Sequence, residues 1–186
     1  MDPSLTHWGI TEAMLDLNSG YLSDVFVEVV EPIKPTGKQV RQNSTDMHVA
    51  EQLATKAIAA AQKAKAVFVE CPVGSQSARA MASYGVCVGV LGAIRALGIP
   101  LIEVTASEVK ISLAGNKNAT KQAMIDAAVG FYPDANWPLY DKSGKGFQKG
   151  DIHSKTEHVA DALAAIHAGA NTPAFQNLMR LFRKVA

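Results

Sequence analysis

Acidic and imidazole side chains stand where a fold can bring them together. Glu70 follows the apolar run AVFV and precedes Cys71-Pro72, which puts its carboxylate at the carboxyl end of a short strand. Ligands bind at that edge of open α/β sheets, so Glu70 reads either as a rim residue or as a ligand for something positive. Further on, in EHVADALAAIHAG, His158 and Asp161 lie three apart and share a helix face, with Val159, Ala162 and Ile166 on the opposing apolar one. His158 taken alone reads as a hydrogen-bonded, half-buried imidazole or as a ligand. Glu157 needs no catalytic role, because with Ser154 it matches a capping box. Asp2 precedes Pro3, which biases it to an extended conformation, as at a strand end; the other reading is a frayed terminus. Together these side chains offer oxygen and nitrogen donors from three separate elements, which suits Mg²⁺ or Mn²⁺ better than zinc. Two such ions about 4 Å apart would activate a water and stabilise the leaving 3′ oxygen of a phosphodiester.

The elements that must position them are readable from the pattern. Two strand-like runs, 8–17 and 24–30, flank the turn Asn18-Ser19-Gly20 and suggest an antiparallel hairpin. Ala, Gln and Lys at helical spacing predict a helix over about 45–65, followed by a buried, parallel strand at 66–70. The next helix spans 76–97. Its stripe of Ala82, Gly85, Gly89, Ala93 and Ala96 serves either close packing on the sheet or a helix–helix dimer contact. A strand at 99–105, a short helix capped by Ser107 and running to Leu113, and a helix from Ala119 that stops near Pro133 come next. Residues 133–153 form an irregular excursion. A helix from Ser154 to about Ala168 follows, then one starting at Pro173 whose Phe175, Leu178, Met179 and Phe182 share a face. The order is that of an α/β domain with a mixed central sheet flanked by helices.

At 186 residues the chain is the size of one domain. No apolar run reaches the roughly 20 residues of a membrane span, and the N-terminus lacks the basic-then-apolar pattern of a signal peptide; a soluble, intracellular protein with no membrane partner is expected. Cys71 and Cys87 make neither a disulfide framework nor a zinc set and are read as reduced, Cys87 in the core. The net charge of +1 does not announce a nucleic-acid binder, so DNA contact requires locally segregated cations. These exist as three groups: Lys110, Lys117 and Lys121; Lys142, Lys145 and Lys149; and Arg180, Arg183 and Lys184. Solvated surface patches are the alternative reading of all three.

In this order the motifs resemble the RuvC family of Holliday junction resolvases, phage-type members in particular. DPSLT with Trp8-Gly9 resembles the family's opening turn after its first strand, and VFVECP carries the Glu at a strand end. TASEVK followed by GNKNATK resembles its pair of lysines around a glycine turn, and HVADALA its final helix. The resemblance runs from Asp2 to about Gly169, giving a nuclease domain at 1–169 and a helical extension at 170–186. It implies an RNase H-like fold and a metal-dependent endonuclease cutting Holliday junctions or related branched DNA. Asp2, Glu70, His158 and Asp161 would be the metal and catalytic residues, with Mg²⁺ or Mn²⁺ as two ions. Lys110 and Lys121 would meet phosphates, and a homodimer would present two sites to branched DNA. The setting implied is the bacterial cytosol, with a phage gene as one source. A broader debranching or flap nuclease and a non-catalytic junction-binding protein are the alternatives.

Three departures from the family pattern carry expectations of their own. The opening strand should precede Asp2, yet only Met1 does, so either further residues lie upstream or the numbering begins inside the motif. As written, the sheet would lose a central strand and Asp2 would hang from a terminus. Val73 stands near where some members place an aromatic wedge. The excursion at 133–153 is longer than expected; its lysines with Trp137, Tyr140 and Phe147 would grip DNA by charge and stacking, or the loop would be disordered.

Overall fold

The computed structural model describes residues 1–37 and 41–185, with side chains through Arg180. Arg183, Lys184 and Phe182 of the patterns above therefore lie outside the described side chains.

The hairpin forms as expected, with shifted ends. Strand β1 (Trp8–Leu15) pairs antiparallel with β2 (Leu22–Val30), Trp8 opposite Val30, with an irregularity between Glu12 and Met14. The turn closes because the Asp16 carboxylate accepts from the backbone N–H of Asn18 and Ser19, while Gly20 takes the left-handed conformation the reversal needs. Helix α1 (Gln42–Lys63) buries Val49, Leu53, Ala57, Ala60 and Ala61 along one face. Strand β3 (Val67–Glu70) pairs parallel with β4 (Leu101–Val104) across α2 (Ala78–Ala96), whose first turn is capped by Ser77. Helix α3 (Ala106–Ala114) begins two residues earlier than expected. Thr105, not Ser107, is its cap, because Thr105 and Glu108 form a reciprocal capping box. Helices α4 (Lys121–Phe131), α5 (Thr156–Ala170) and α6 (Pro173–Val185) complete the order.

The expected mixed sheet is present as two two-stranded pieces, β1–β2 and β3–β4. Met1 and Asp2 join them. Asp2 exchanges backbone hydrogen bonds with Gly9 of β1 at 2.9 and 3.0 Å, and the Met1 carbonyl accepts from the N–H of Glu70 at 3.2 Å. The Met1 amino group donates to the Phe68 carbonyl at 2.7 Å. The spatial order is thus β2, β1, the Met1–Asp2 segment, β3, β4. The expectation that Asp2 hangs free is corrected: both of its backbone polar groups are paired, and Pro3 behind it is buried.

Side chains alternate across this layer, as the twofold period of extended chain requires. Met1, Trp8, Ile10, Val67 and Val69 point to α1 and α2, where they pack with Val49, Leu53, Cys87 and Ile94. Phe68 points the other way, to the core built on α5 with Ile102, Val104, Val109, Met124 and Leu163. Both faces of the sheet are therefore covered, with α5 as the central helix of one side, buried from Val159 through Ile166 except at Asp161. Phe175 of α6 seals the end of that core edge-on against the Phe68 ring at 4.9 Å.

Two glycines set the helix-to-sheet distance, and neither is in the α2 stripe. A Cβ at Gly9 would overlap the His158 carbonyl, and one at Gly169 would overlap the Phe68 ring. By contrast, Gly85, Gly89 and Gly92 face open space, so the sheet-packing reading of the α2 stripe is corrected. The excursion is ordered, with bridges between Leu139 and Ile152 and between Gly144 and Phe147. Tyr140 stacks on Phe147 at 3.8 Å and Trp137 is buried, donating its indole N–H to the Tyr132 carbonyl. Trp137 is thus a core residue rather than a DNA contact, and the two remaining aromatics stack on each other.

Candidate active site

The alternation that orders the core also selects which acids meet. Met1 and Val69 face α1 and α2, so Asp2 and Glu70 face α5. They do so at neighbouring positions, because Met1 and Glu70 share a backbone hydrogen bond. On the helix side, the absence of a side chain at Gly9 lets the first turn of α5 lie on β1, and Thr11 fixes that contact by donating its hydroxyl to the Val159 carbonyl at 3.0 Å. His158 and Asp161, one turn of α5, are carried onto the two strand-end acids. His158 donates from Nδ1 to Asp2 Oδ2 at 2.9 Å.

The electrostatics of the cluster are those of crowded carboxylates short of positive charge. Burial, then the nearby charges of Asp2 and Glu70, raises the Asp161 pKa to about 7. Glu70 is raised in the same direction by burial and then by Asp2, with Lys110 acting against it. His158 is raised, chiefly by its hydrogen bond to Asp2 and against the cost of burial. Asp161 Oδ1 is buried with no hydrogen-bond partner, one of two such side-chain atoms among the described residues, the other being Trp8 Nε1.

A cation answers both features. It would satisfy an orphaned oxygen and relieve the repulsion among Asp2, Glu70 and Asp161, and hard oxygens with one imidazole fit Mg²⁺ or Mn²⁺. No three His, Cys, Asp or Glu side chains among the described residues stand ready-formed around a single ion position, so an ion held here would have to draw the carboxylates inward.

The expected basic residues divide. Lys110 lies close enough to Glu70 to stabilise its charge. Lys121, at the start of α4, pairs with Glu157 at 2.8 Å and feels Asp161 and Asp2 as well. The capping box that Ser154 and Glu157 suggest does not form: α5 has no side-chain cap, and Glu157 anchors Lys121 beside the acids. Lys117 is exposed in the turn between α3 and α4, and Lys142, Lys145 and Lys149 are exposed on the excursion. Among the described residues these four make no ion pair. Val73, beyond Glu70, is 88% exposed.

Residues that the motifs did not single out complete the surroundings. The His7 ring stacks on His158, with centroids 5.3 Å apart and planes 4° from parallel. Glu31, just past β2, takes both of its oxygens to Lys155 at 2.6 Å and stands 3.7 Å from His7. The clue to His7 was its place between the Asp2 turn and a strand that begins with Trp8-Gly9.

Solved structures share this fold. Thermus thermophilus RuvC superposes with a TM-score of 0.58 at 22% identity, covering 96% of this chain and 93% of that one. The fold is that of RuvC. A second structure, T. thermophilus RuvC in complex with its Holliday junction substrate, gives a TM-score of 0.59 at 20% identity over the same shares. The RuvC likeness thus covers nearly the whole chain and establishes a RuvC-like, RNase H-like α/β architecture. No protein-family model matches the chain, and no curated protein matches it by sequence. Among the described residues, no helix is long and apolar enough to cross a membrane.

Proposed function

We propose that the chain is a divalent-metal-dependent endonuclease acting on Holliday junctions or related branched DNA. The observation that carries this reading is the meeting of Asp2, Glu70, His158 and Asp161 at one end of a RuvC-like sheet, with a buried Asp161 oxygen that has no hydrogen-bond partner among the described residues. Asp2, Glu70 and Asp161 would hold Mg²⁺ or Mn²⁺, two ions in this reading, with His158 as further ligand or phosphate contact. When bound, the ions supply an activated water and charge stabilisation for the leaving 3′ oxygen. The protein's own part is to hold the acids against their mutual repulsion in a partly dry setting and to orient His158 through Asp2.

Lys110 and Lys121 flank this site and would receive the phosphates on either side of the scissile one. Lys117 and the excursion lysines would extend the backbone contact, giving affinity without sequence preference. A homodimer fits the task, because two-fold related sites cut opposing strands of a junction. The surface that supports it is the outer face of α2, where Ala82, Gly85, Val88, Gly89, Gly92 and Ala96 are all exposed. A bacterial cytosolic setting follows from the same reading. The test is cleavage of a four-way junction, a flap and a linear duplex with Mg²⁺ or Mn²⁺. Symmetric paired nicks in the four-way junction support a resolvase, cleavage of flaps alone a debranching nuclease, and no cleavage of any substrate overturns the enzyme reading.

A further inference from the structure

Beside the acids lies a second cluster that the proposed chemistry leaves unused. Its own members are Lys155 at the start of α5, Glu31 at the end of β2 and His7 in the segment entering β1, and through His7 it reaches His158 and so Asp2. Lys155 holds the Glu31 carboxylate with two 2.6 Å contacts. Glu31 faces His7 Nε2 at 3.7 Å, and His7 Nδ1 lies 3.2 Å from the Thr6 hydroxyl. Both edges of the His7 ring therefore have a polar neighbour, while its face lies parallel on His158. The backbone under His7 has little freedom, since Trp8 is fully buried and Gly9 is pinned between Asp2 and the His158 carbonyl.

The consequence falls on His158. Its Nδ1 is committed to Asp2, and its Nε2 makes no hydrogen bond among the described residues. An imidazole held by one hydrogen bond can still swing about that bond, and a parallel ring across its face removes the swing. We infer that His7 is a positioning residue: its ring, set in place by Glu31 and Lys155, holds the His158 imidazole flat so that Nδ1 stays on Asp2 and Nε2 stays free for a cation or a phosphate. Partners of this kind, one step out from the ligands, change metal affinity by about 10–100-fold when removed.

This inference rests on the reading of Asp2 and His158 as members of the cation site, and the experiment separates the two. Binding of Mn²⁺ alone is followed by electron paramagnetic resonance in the full chain, and the His158 ring nitrogens are followed by NMR without metal, for wild type, His7→Ala, His7→Phe and Glu31→Gln. The expected result is a single Nδ1-protonated His158 in wild type, which becomes a mixture of tautomers in His7→Ala with about tenfold weaker Mn²⁺ binding. His7→Phe, which keeps a flat ring, should restore both signals, and Glu31→Gln should shift them in the direction of His7→Ala by a smaller amount. Should His7→Ala unfold, His7→Leu gives the same comparison, with volume kept and flatness lost. Wild-type affinity and tautomer in the Ala or Leu variant, or equal loss in Phe, overturns the positioning role. No Mn²⁺ binding by wild type, with the NMR differences intact, overturns the cation-site reading and leaves the ring-stacking role standing.

Discussion

His158 Nδ1 donates to Asp2 Oδ2 at 2.9 Å, which ties α5 to the two-residue segment that joins the two halves of the sheet. The tie links residues 156 positions apart. It exists because three features coincide: an extended Asp2 ahead of Pro3, a glycine at position 9, and a histidine at the first turn of α5. Placement of Asp161 beside Glu70 follows from the same docking, since Asp161 is one turn further along the helix.

Gly9 should be intolerant of any side chain. A Cβ there overlaps the His158 carbonyl, a backbone atom that moves only with the helix. Gly9→Ala is expected to destabilise the protein by about 2–4 kcal/mol, the scale of overpacking against an unyielding neighbour. Chemical denaturation checks the stability, and loss of the His158–Asp2 signature by NMR checks the displacement. A variant of wild-type stability would mean that α5 does not lie on β1 as described.

Asp161 makes the metal-free protein pH-sensitive. Its folded pKa of about 7 lies above the ordinary value of 3.8, so the fold favours the neutral acid. Ionisation then costs stability progressively between pH 4 and 7, and the full cost, on the order of 2–4 kcal/mol, persists above 7. Asp161→Asn should therefore match wild type near pH 4 and exceed it in thermal stability at pH 8 without metal. Mg²⁺ at pH 8 should stabilise wild type and leave the variant unchanged. Parallel stability curves for the two proteins across this range would remove Asp161 from a buried acidic cluster.

Phosphate contacts should dominate DNA affinity. Replacing Lys142, Lys145 and Lys149 together with Ala is expected to reduce the slope of log affinity against log salt by about 2–3, near 0.9 per lost contact. Fluorescence anisotropy on a four-way junction from low to physiological salt provides the measurement. An unchanged slope would make the excursion a solvated surface. Lys121→Ala should add a loss of cleavage rate, because its partner Glu157 holds it next to the acids.

The outer face of α2 offers a separate test. Gly89 is exposed and a Cβ there meets nothing within 4 Å among the described residues, so Gly89→Leu should fold normally. If the face joins two copies, the variant should run as a monomer in analytical ultracentrifugation where wild type runs as a dimer. The same sedimentation for both would place any dimer contact elsewhere.

Much of this was legible in the residues. The strand carrying Glu70 and the helix carrying His158 and Asp161 stand out because short apolar runs and helical spacing are local signals, read within one or two turns of chain. Caps were harder: Ser107 and Ser154 both match cap patterns, yet Thr105 starts α3 and α5 has no side-chain cap, since competing hydroxyls a few residues apart are decided by how the helix docks. The small residues of α2 announced close packing on the sheet that the fold does not make, while their dimer reading is left to sedimentation. Their spacing announces close approach without naming the partner, and the close approaches of helix to sheet, Gly9 on α5 and Gly169 on Phe68, involve isolated glycines with no periodicity. Asp2 looked weakest because nothing in one strand's residues reports on its neighbours. Its backbone pairing with Gly9 is a property of the assembled sheet, as is the stacking of His7 on His158.

If Asp2, Glu70, His158 and Asp161 form a cation-dependent phosphodiester-cleaving site, cleavage should depend on both the ion and Asp161. Single-turnover cleavage of a labelled four-way junction by wild type and Asp161→Asn, each with Mg²⁺, with Mn²⁺ and with chelator, measures both dependences. Wild type should nick only when a divalent ion is present, and the variant should lose at least about 10²-fold in rate with junction binding retained. Cleavage that survives chelation, or an Asp161→Asn variant as active as wild type, would contradict such a site.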